Sequence, residues 1–202
     1  MSSPAESVPA VVQAVAASPP RPRTRFIRAR SERSLIQGAL AGSEADLELL
    51  FRRHWPRAYR VAFLIVHDHA AAEDIAQEAF VAAVRRLDRF DRRRPFSPWL
   101  GAIVANRAID WVRSRNSRRE TAGGVPEQAA PPDQSLGRYS EEVLAALVGL
   151  PPEQRAVVVM RYLLEYTPGE IARALEIPRG TVNSRLRRGL DALEARLGED
   201  DS

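Results

Sequence analysis

Cysteine is absent from the 202-residue chain. Disulfide scaffolds, thiolate–zinc sites and cysteine nucleophiles are thereby excluded. Lysine is absent too: all 30 basic residues are arginine, set against 26 acidic ones, for a net charge of +4. Guanidinium does not titrate in the accessible range, so the placement of the arginines matters more than the modest total. No apolar run exceeds the six residues of Val61 to Val66, far below the roughly 20 that cross a bilayer. Residues 8–17 are rich in Ala and Val but follow no basic segment, so a secretory signal is not expected and the chain reads as soluble and cytoplasmic. Histidine is scarce, at three residues. His67-Asp68-His69, with only His54 elsewhere, supplies too few ligands on diverging positions for a metal site. With no Gly-rich phosphate loop and no Ser/His/Asp set in a recognisable context, no catalytic residue, metal or cofactor is expected.

The length admits one large or two small domains of ordinary size. Residues 1–33 hold five of the 15 prolines and six arginines without periodicity, the composition of a disordered tail. Residues 34–116 read as helical. Leu47, Leu50, Phe51, Ala58, Val61, Ala62 and Ile65 follow a helix period, and Pro56 is predicted to kink or split that helix. A second helix is predicted over about 70–89, with Glu73 and Asp74 near its positive start. Its apolar side is Ile75, Ala76, Ala79, Phe80, Ala83, Val84 and Leu87. A third is predicted to open at Ser97 as N-cap with Pro98 at the first helical position, burying Leu100, Ile103, Val104, Ala108 and Trp111. Residues 117–137 carry Gly123, Gly124, Pro126, Pro131 and Pro132, and no Arg lies between Arg119 and Arg138. This reads as a flexible acidic linker. Residues 138–198 form a second helical unit. The expected fold is therefore all-α, two small helical domains on a flexible linker.

Three patterns carry chemistry. In the second unit, Thr167-Pro168-Gly169-Glu170 is a capping box opening a short helix that ends near Leu175. The turn Glu176-Ile177-Pro178 leads into a last helix over Arg179 to about Leu197. Ile171, Ala172, Ile177, Val182, Leu186 and Leu190 are expected inside. That leaves Arg179, Thr181, Asn183, Ser184, Arg185, Arg187 and Arg188 toward solvent or the flanks. A helix-turn-helix with such a face suits the DNA major groove, where Arg pairs bidentately with guanine and Asn with adenine. The second pattern runs from Arg85 to Arg119, where eleven arginines are interleaved with Phe90, Phe96, Trp99 and Trp111. Stacking aromatics in an Arg-lined groove hold single-stranded nucleic acid. Trp111 reads as core, while Phe90, Phe96 and Trp99 fit either core or stacking. The third pattern, Glu73, Asp74, Gln77 and Glu78, alone reads as a dipole complement.

In this order, these features resemble the extracytoplasmic-function group of sigma-70-type sigma factors. The resemblance spans about residues 34–198. Ala72-Glu73-Asp74-Ile75-Ala76-Gln77-Glu78-Ala79-Phe80 looks like region 2.2. Pro98 to Asp110 looks like regions 2.3 and 2.4, and Pro178 to Leu186 like the recognition helix of region 4.2. The resemblance implies a non-enzymatic subunit that binds core RNA polymerase, at the β′ clamp helices and the β flap, and directs it to promoter DNA. It places Asp74, Gln77, Glu78 and Phe80 in the clamp-docking segment. It places Phe90, Arg92, Arg93, Arg94, Phe96, Trp99, Asn106, Arg107, Asp110 and Arg113 at the −10 element, with Asn106 lining the pocket for a flipped base. Unstacking that base costs a few kcal/mol, offset by pocket and phosphate contacts. It places Arg179, Thr181, Asn183, Ser184, Arg185, Arg187 and Arg188 at the −35 element. Asn183 stands where the family often has Arg. Only five residues follow Leu197, so no further domain is expected there, and regulation is expected from an anti-sigma factor. An autonomous helix-turn-helix regulator is the alternative. It explains residues 138–198 and gives no reason for the Arg–aromatic stretch. An enzyme around the His/Asp residues lacks an assembled site, and a scaffolding partner needs no DNA-reading face.

Overall fold

The computed structural model describes residues 30–122 and 141–198. The expected tail up to residue 29 and the linker from Gly123 onward lie outside them. Eight α-helices are present among the described residues: α1 Glu32–Leu40, α2 Glu44–Val66, α3 His69–Arg85, α4 Phe96–Ala122, α5 Glu141–Val148, α6 Pro152–Tyr162, α7 Pro168–Ala174 and α8 Arg179–Gly198. A single 3-10 turn, Leu87–Arg89, follows α3.

Short polar residues start the first three helices. The Ser31, Ser43 and Asp68 side chains accept from the backbone N–H three residues on, at Ser34, Asp46 and Ala71. Each satisfies a donor that the first turn leaves without an intrahelical partner. Helix α1 turns into α2 through Gly42, whose φ of +87° suits a residue without Cβ. Buried Asp46 pairs with Arg30 and lies against Gly38, where an added Cβ would stand 1.7 Å from its carboxylate. Glu32 ties three elements: one oxygen accepts from the Phe96 N–H at 3.0 Å and the other lies 3.1 Å from the His54 ring.

Several local expectations change. The first helix opens at Glu32, inside the expected tail. Helix α2 is not split: it continues through Pro56 to Val66. An interior proline costs about 3 kcal/mol. Beyond it, Val61, Phe63, Leu64 and Ile65 are almost fully buried, each contributing about 1.5–3 kcal/mol. Burial wins. That half of α2 is buried on every side because α5 and α6 cover the face that α1, α3 and α4 leave. Ser97 is not the cap of α4, which begins at Phe96; Ser97 and Pro98 sit within its first turn, where a missing N–H costs nothing. Helix α4 also runs to Ala122, so the first six residues of the expected linker are helical. Within it Leu100, Val104, Ala105, Ala108, Ile109 and Val112 are buried, while Ile103 and Trp111 are half-buried. Trp111 lies under the Arg115 guanidinium at 4.9 Å.

The two helical units pack directly on each other. Gly101 of α4 meets Leu164 so closely that a Cβ would lie 2.7 Å from a Leu164 methyl. Arg155 of α6 is buried and donates to the carbonyls of Ile65, Val148 and Leu150.

His67 ends α2 in the left-handed conformation, φ +53°, its N–H donating to Phe63 at 2.8 Å. Burial drives its pKa down to about 3, helped by Arg155 and His69. The unfolded chain protonates this ring near 6.5, and the folded chain resists it down to about 3. Stability is therefore intact above pH 6.5 and falls as the pH drops toward 3, by at most about 1.4 kcal/mol per unit. His67→Asn, which tolerates the same backbone, removes the dependence. Thermal melts at pH 7 and pH 5 should show a smaller loss for the variant, by about 2 kcal/mol; equal losses would refute the assignment.

Candidate nucleic-acid interface

Helices α7 and α8 form the expected helix-turn-helix. Thr167 accepts from the Glu170 N–H at 3.3 Å, and the Glu170 carboxylate accepts from the Thr167 N–H at 2.9 Å and hydroxyl at 2.8 Å. The box is complete. The turn is tight: Glu176 takes a left-handed φ of +54°, and the Ile177 N–H reaches back to Ala172 at 3.0 Å. Val182, Leu186, Gly189 and Leu193 face inward. Gly189 lets α8 approach α6, where its Cβ would lie 3.0 Å from a Val158 methyl.

On the outer side, Arg179, Asn183, Arg187 and Arg188 are exposed, and Thr181, Ser184 and Arg185 are half-buried. Arg179, Asn183 and Arg187 are four residues apart, so they form one stripe along the helix. The Ser184 hydroxyl is already donated to the Thr181 carbonyl at 3.0 Å. Arg185 faces a cleft between the two units rather than open solvent.

Helix α3 alternates two buried residues with two exposed ones. Asp74, Gln77 and Glu78 face out while Ala76, Ala79 and Phe80 face in. Phe80 thus belongs to the core, packed on Phe51 with ring centroids 4.7 Å apart, and offers no docking surface. Glu73 and Asp74 lie beyond the first turn, which holds no acid. The helix dipole weakens within one turn, so it does not explain them. Asp74, Gln77, Glu78, Val81, Arg85 and Arg107 border an open groove of about 580 Å³. Glu78 bridges to Arg107 at 2.6 Å. Val81, half exposed among these groups, was not singled out by the sequence.

The aromatics divide. Phe96 is 1% and Phe90 6% exposed, and they meet edge to face at 5.6 Å, so neither presents a ring to a base. Trp99, 4.7 Å from Phe90, is half-buried. The loop Asp91–Arg94 is exposed, with Arg92, Arg93 and Arg94 held by a local turn in which Asp91 accepts from the Arg93 N–H. On α4, Asp110 and Arg113 are exposed, and Arg107 and Asn106 half-buried. Asn106 Nδ2 donates to the Ala174 carbonyl at 2.7 Å, and Arg113 reaches Glu153 at 3.3 Å. Arg57, Arg155 and Tyr166, which link the units, gave no signal in the sequence beyond being an arginine or an aromatic. Among the described residues no group of three or more His, Asp or Glu could hold a metal, and no helix is long and apolar enough to cross a membrane.

Two family models match this chain: Sigma-70 region 2 over residues 50–118 and Sigma-70, region 4 over residues 140–193. The ECF RNA polymerase sigma factor SigW of Bacillus subtilis (strain 168) is 34% identical over 155 residues, 70% of this chain and 83% of that protein. The RNA polymerase sigma factor CarQ of Myxococcus xanthus is 35% identical over 166 residues, 78% and 92% respectively. Among solved structures, CnrH in complex with the cytosolic domain of CnrY matches with a TM-score of 0.59 at 28% identity, covering 84% of this chain and 98% of that one. RpoE in complex with the anti-sigma factor NepR from Bartonella quintana shares the fold, with a TM-score of 0.62 at 23% identity over 76% of this chain and 97% of that one.

The capping box makes a local prediction. Hydrogen bonds from Thr167 hold the Glu170 carboxyl below its ordinary range. Thr167→Ala should lower stability by about 1 kcal/mol, read as a fall in Tm, and raise the Glu170 pKa, read by NMR titration. An unchanged Glu170 titration would show that the Thr167 hydroxyl does not bond the carboxylate in solution.

Proposed function

The chain belongs to the extracytoplasmic-function sigma factors, and on that premise we propose a division of labour among its surfaces. It is an alternative sigma factor that takes core RNA polymerase to promoters of the −10 and −35 type. The outward face of α3, with Asp74, Gln77 and Glu78, docks on the clamp helices of the β′ subunit, and the second unit on the β flap. The exposed arginines of the Asp91–Arg94 loop hold phosphates near the −10 element. Trp99, Asn106, Arg107, Asp110 and Arg113 receive the unstacked non-template base and its neighbours. The stripe Arg179, Asn183 and Arg187 reads base edges of the −35 element in the major groove, with Arg188 on the backbone. The protein works in the cytoplasm without catalysis of its own, and an anti-sigma factor restrains it. CnrH and RpoE are each seen with such a partner or a partner's cytosolic domain.

One observation carries the reading. The chain joins a helix-turn-helix with an exposed Arg–Asn–Arg stripe to a second helical unit that matches Sigma-70 region 2. A duplex-binding regulator needs only the first. The groove on α3, whose Asp74 the helix dipole does not explain, then has a partner as well.

Run-off transcription with purified core polymerase on a supercoiled promoter library tests this. The expected result is specific initiation that depends on the protein. Asn183→Ala or Arg187→Ala should weaken it about tenfold to a hundredfold, since a base-pairing contact is worth about 1–3 kcal/mol, with core binding intact. Glu78→Arg should lose core binding in a pull-down. Tight, sequence-specific duplex binding by the protein alone, with no initiation and no core binding, would instead establish the autonomous regulator.

A further inference from the structure

Helix α4 carries the residues assigned to the −10 element, and Pro95, the residue before it, cannot cap it. A proline offers neither an N–H nor a side-chain acceptor. Pro98 removes one more donor, which leaves the N–H groups of Phe96 and Ser97 in the first turn without an intrahelical partner. The Phe96 N–H is satisfied from far along the chain, by Glu32 Oε1 at 3.0 Å. A carboxylate at that place also meets the positive end of a 27-residue helix. Its second oxygen, Oε2, lies 3.1 Å from His54 Nε2, and the His54 ring meets the Phe96 ring edge to face at 4.9 Å. Glu32 and His54 thus hold Phe96 at its amide and at its ring.

Phe96 closes the exposed loop Asp91–Arg94. Its ring packs on Phe90 at 5.6 Å, which joins the two ends of the loop, and on Trp99 at 5.5 Å, one of the residues assigned to the unstacked base. Helix α1 also touches the 3-10 turn Leu87–Arg89, on the other side of the loop. The support itself is fixed. Arg30 pairs with buried Asp46, the Arg30 carbonyl accepts from Arg53 at 3.1 Å, and Ser31 caps α1. As the first residue of α1, Glu32 reads as a dipole complement for its own helix. That reading explains the charge and leaves the reach to Phe96 unused. Glu32 lies outside residues 50–118, the stretch that matches Sigma-70 region 2.

We propose that Glu32 is a positioning residue for −10 recognition: through the Phe96 amide it holds the Asp91–Arg94 loop and Trp99 in the geometry that takes the melted strand. This rests on the −10 assignment proposed above. Without that bond the loop spreads over more conformations, and the apparent affinity for the strand falls with the fraction that stays competent. One hydrogen bond to a charged group changes such a fraction by about tenfold. Burial lowers the His54 pKa against the opposing pull of Glu32. The neutral ring can donate from Nε2 to a carboxylate or, in its other tautomer, accept from an amide.

Three substitutions separate reach from charge. Glu32→Gln keeps the length and the acceptor and loses the charge. Glu32→Asp keeps a charge in the first turn of α1 and is one methylene too short for Phe96. Glu32→Ala loses both. NMR of the isotope-labelled full chain reads hydrogen exchange at the Phe96 amide. Holoenzyme built with the same chain initiates in competition on a promoter recovered from the transcription library and on that promoter with a substituted −10 element. The ratio of the two products measures −10 discrimination and does not respond to a uniform loss of folded protein. Glu32→Gln should keep Phe96 protected and the ratio near the wild-type value. Glu32→Asp and Glu32→Ala should expose the amide and lower the ratio about tenfold, with core binding intact in a pull-down. Glu32→Asp at the wild-type ratio beside a lowered Glu32→Gln would show a dipole complement of α1 and overturn the positioning. So would a ratio that does not follow Phe96 protection across the three variants, a yield that falls on both promoters with the ratio unchanged, or three variants that all match the wild type. A wild-type chain that initiates nowhere in the library overturns the sigma reading itself, on which the positioning rests.

Discussion

The structure turns on Arg155. Its guanidinium is buried where the two helical units meet and has no carboxylate against it; its partners are three backbone carbonyls. Two of these, on Ile65 and Val148, lie at helix C-termini, where the aligned peptide dipoles concentrate negative charge. Burial lowers the pKa of the group to about 10, which still leaves it charged at neutral pH. A buried cation is costly unless it is hydrogen-bonded on several sides, and each bond to a charged group is worth about 1.5–3 kcal/mol. Three such bonds can offset the desolvation, but only while α2 stays in place, since Ile65 belongs to the other unit. The position of the second unit is therefore coupled to the solvation of one side chain. Lysine could not replace it, because a single ammonium lacks the flat, forked donor set that reaches three separate carbonyls.

The local signals were legible in the sequence. Thr167 to Glu170 spelled out its cap, and the spacing of Ile171, Val182 and Leu186 placed the buried side of the helix-turn-helix. Helix-scale patterns depend on neighbours a few residues away, so one strand of text contains them. Pro56 shows the limit. Its local cost was read correctly, but the burial that overrides it comes from α5 and α6, about 90 residues later in the chain. Phe90 and Phe96 show the same limit from the other side. An aromatic beside arginines fits a stacking platform as well as a core position, and only the folded chain, where Phe90 and Phe96 are buried against each other and Glu32 holds the Phe96 N–H across 64 residues, decides for the core. The contacts between the units had no local pattern at all, because an arginine that caps a distant helix looks like any surface arginine.

The Glu78–Arg107 pair adds a constraint on the surface. It joins a residue of the α3 groove to one of α4 at 2.6 Å. Both groups are substantially exposed, so the pair itself is worth little in stability. Its consequence is geometric. On the proposed assignments, a partner that takes Glu78 into its own ion pairs releases Arg107 next to Asn106, on the helix proposed to meet the melted strand.

Three of the groups proposed for the −10 element are held by internal partners, while the proposed −35 stripe of Arg179, Asn183 and Arg187 is exposed. Asn106 gives its amide to Ala174, Arg113 lies against Glu153 and Arg107 against Glu78. A solvated arginine row would bind any polyanion, since phosphate contacts carry no sequence information. Internal carboxylates lower that non-specific affinity, because each must be displaced before a phosphate can bind. Specific contacts lose less, since the promoter complex also supplies base pairing and polymerase contacts to make up the difference. In a chain with 30 arginines and no lysine, guanidinium charge is not removed by titration, so pairing with acids is what lowers the phosphate affinity of the arginines proposed here.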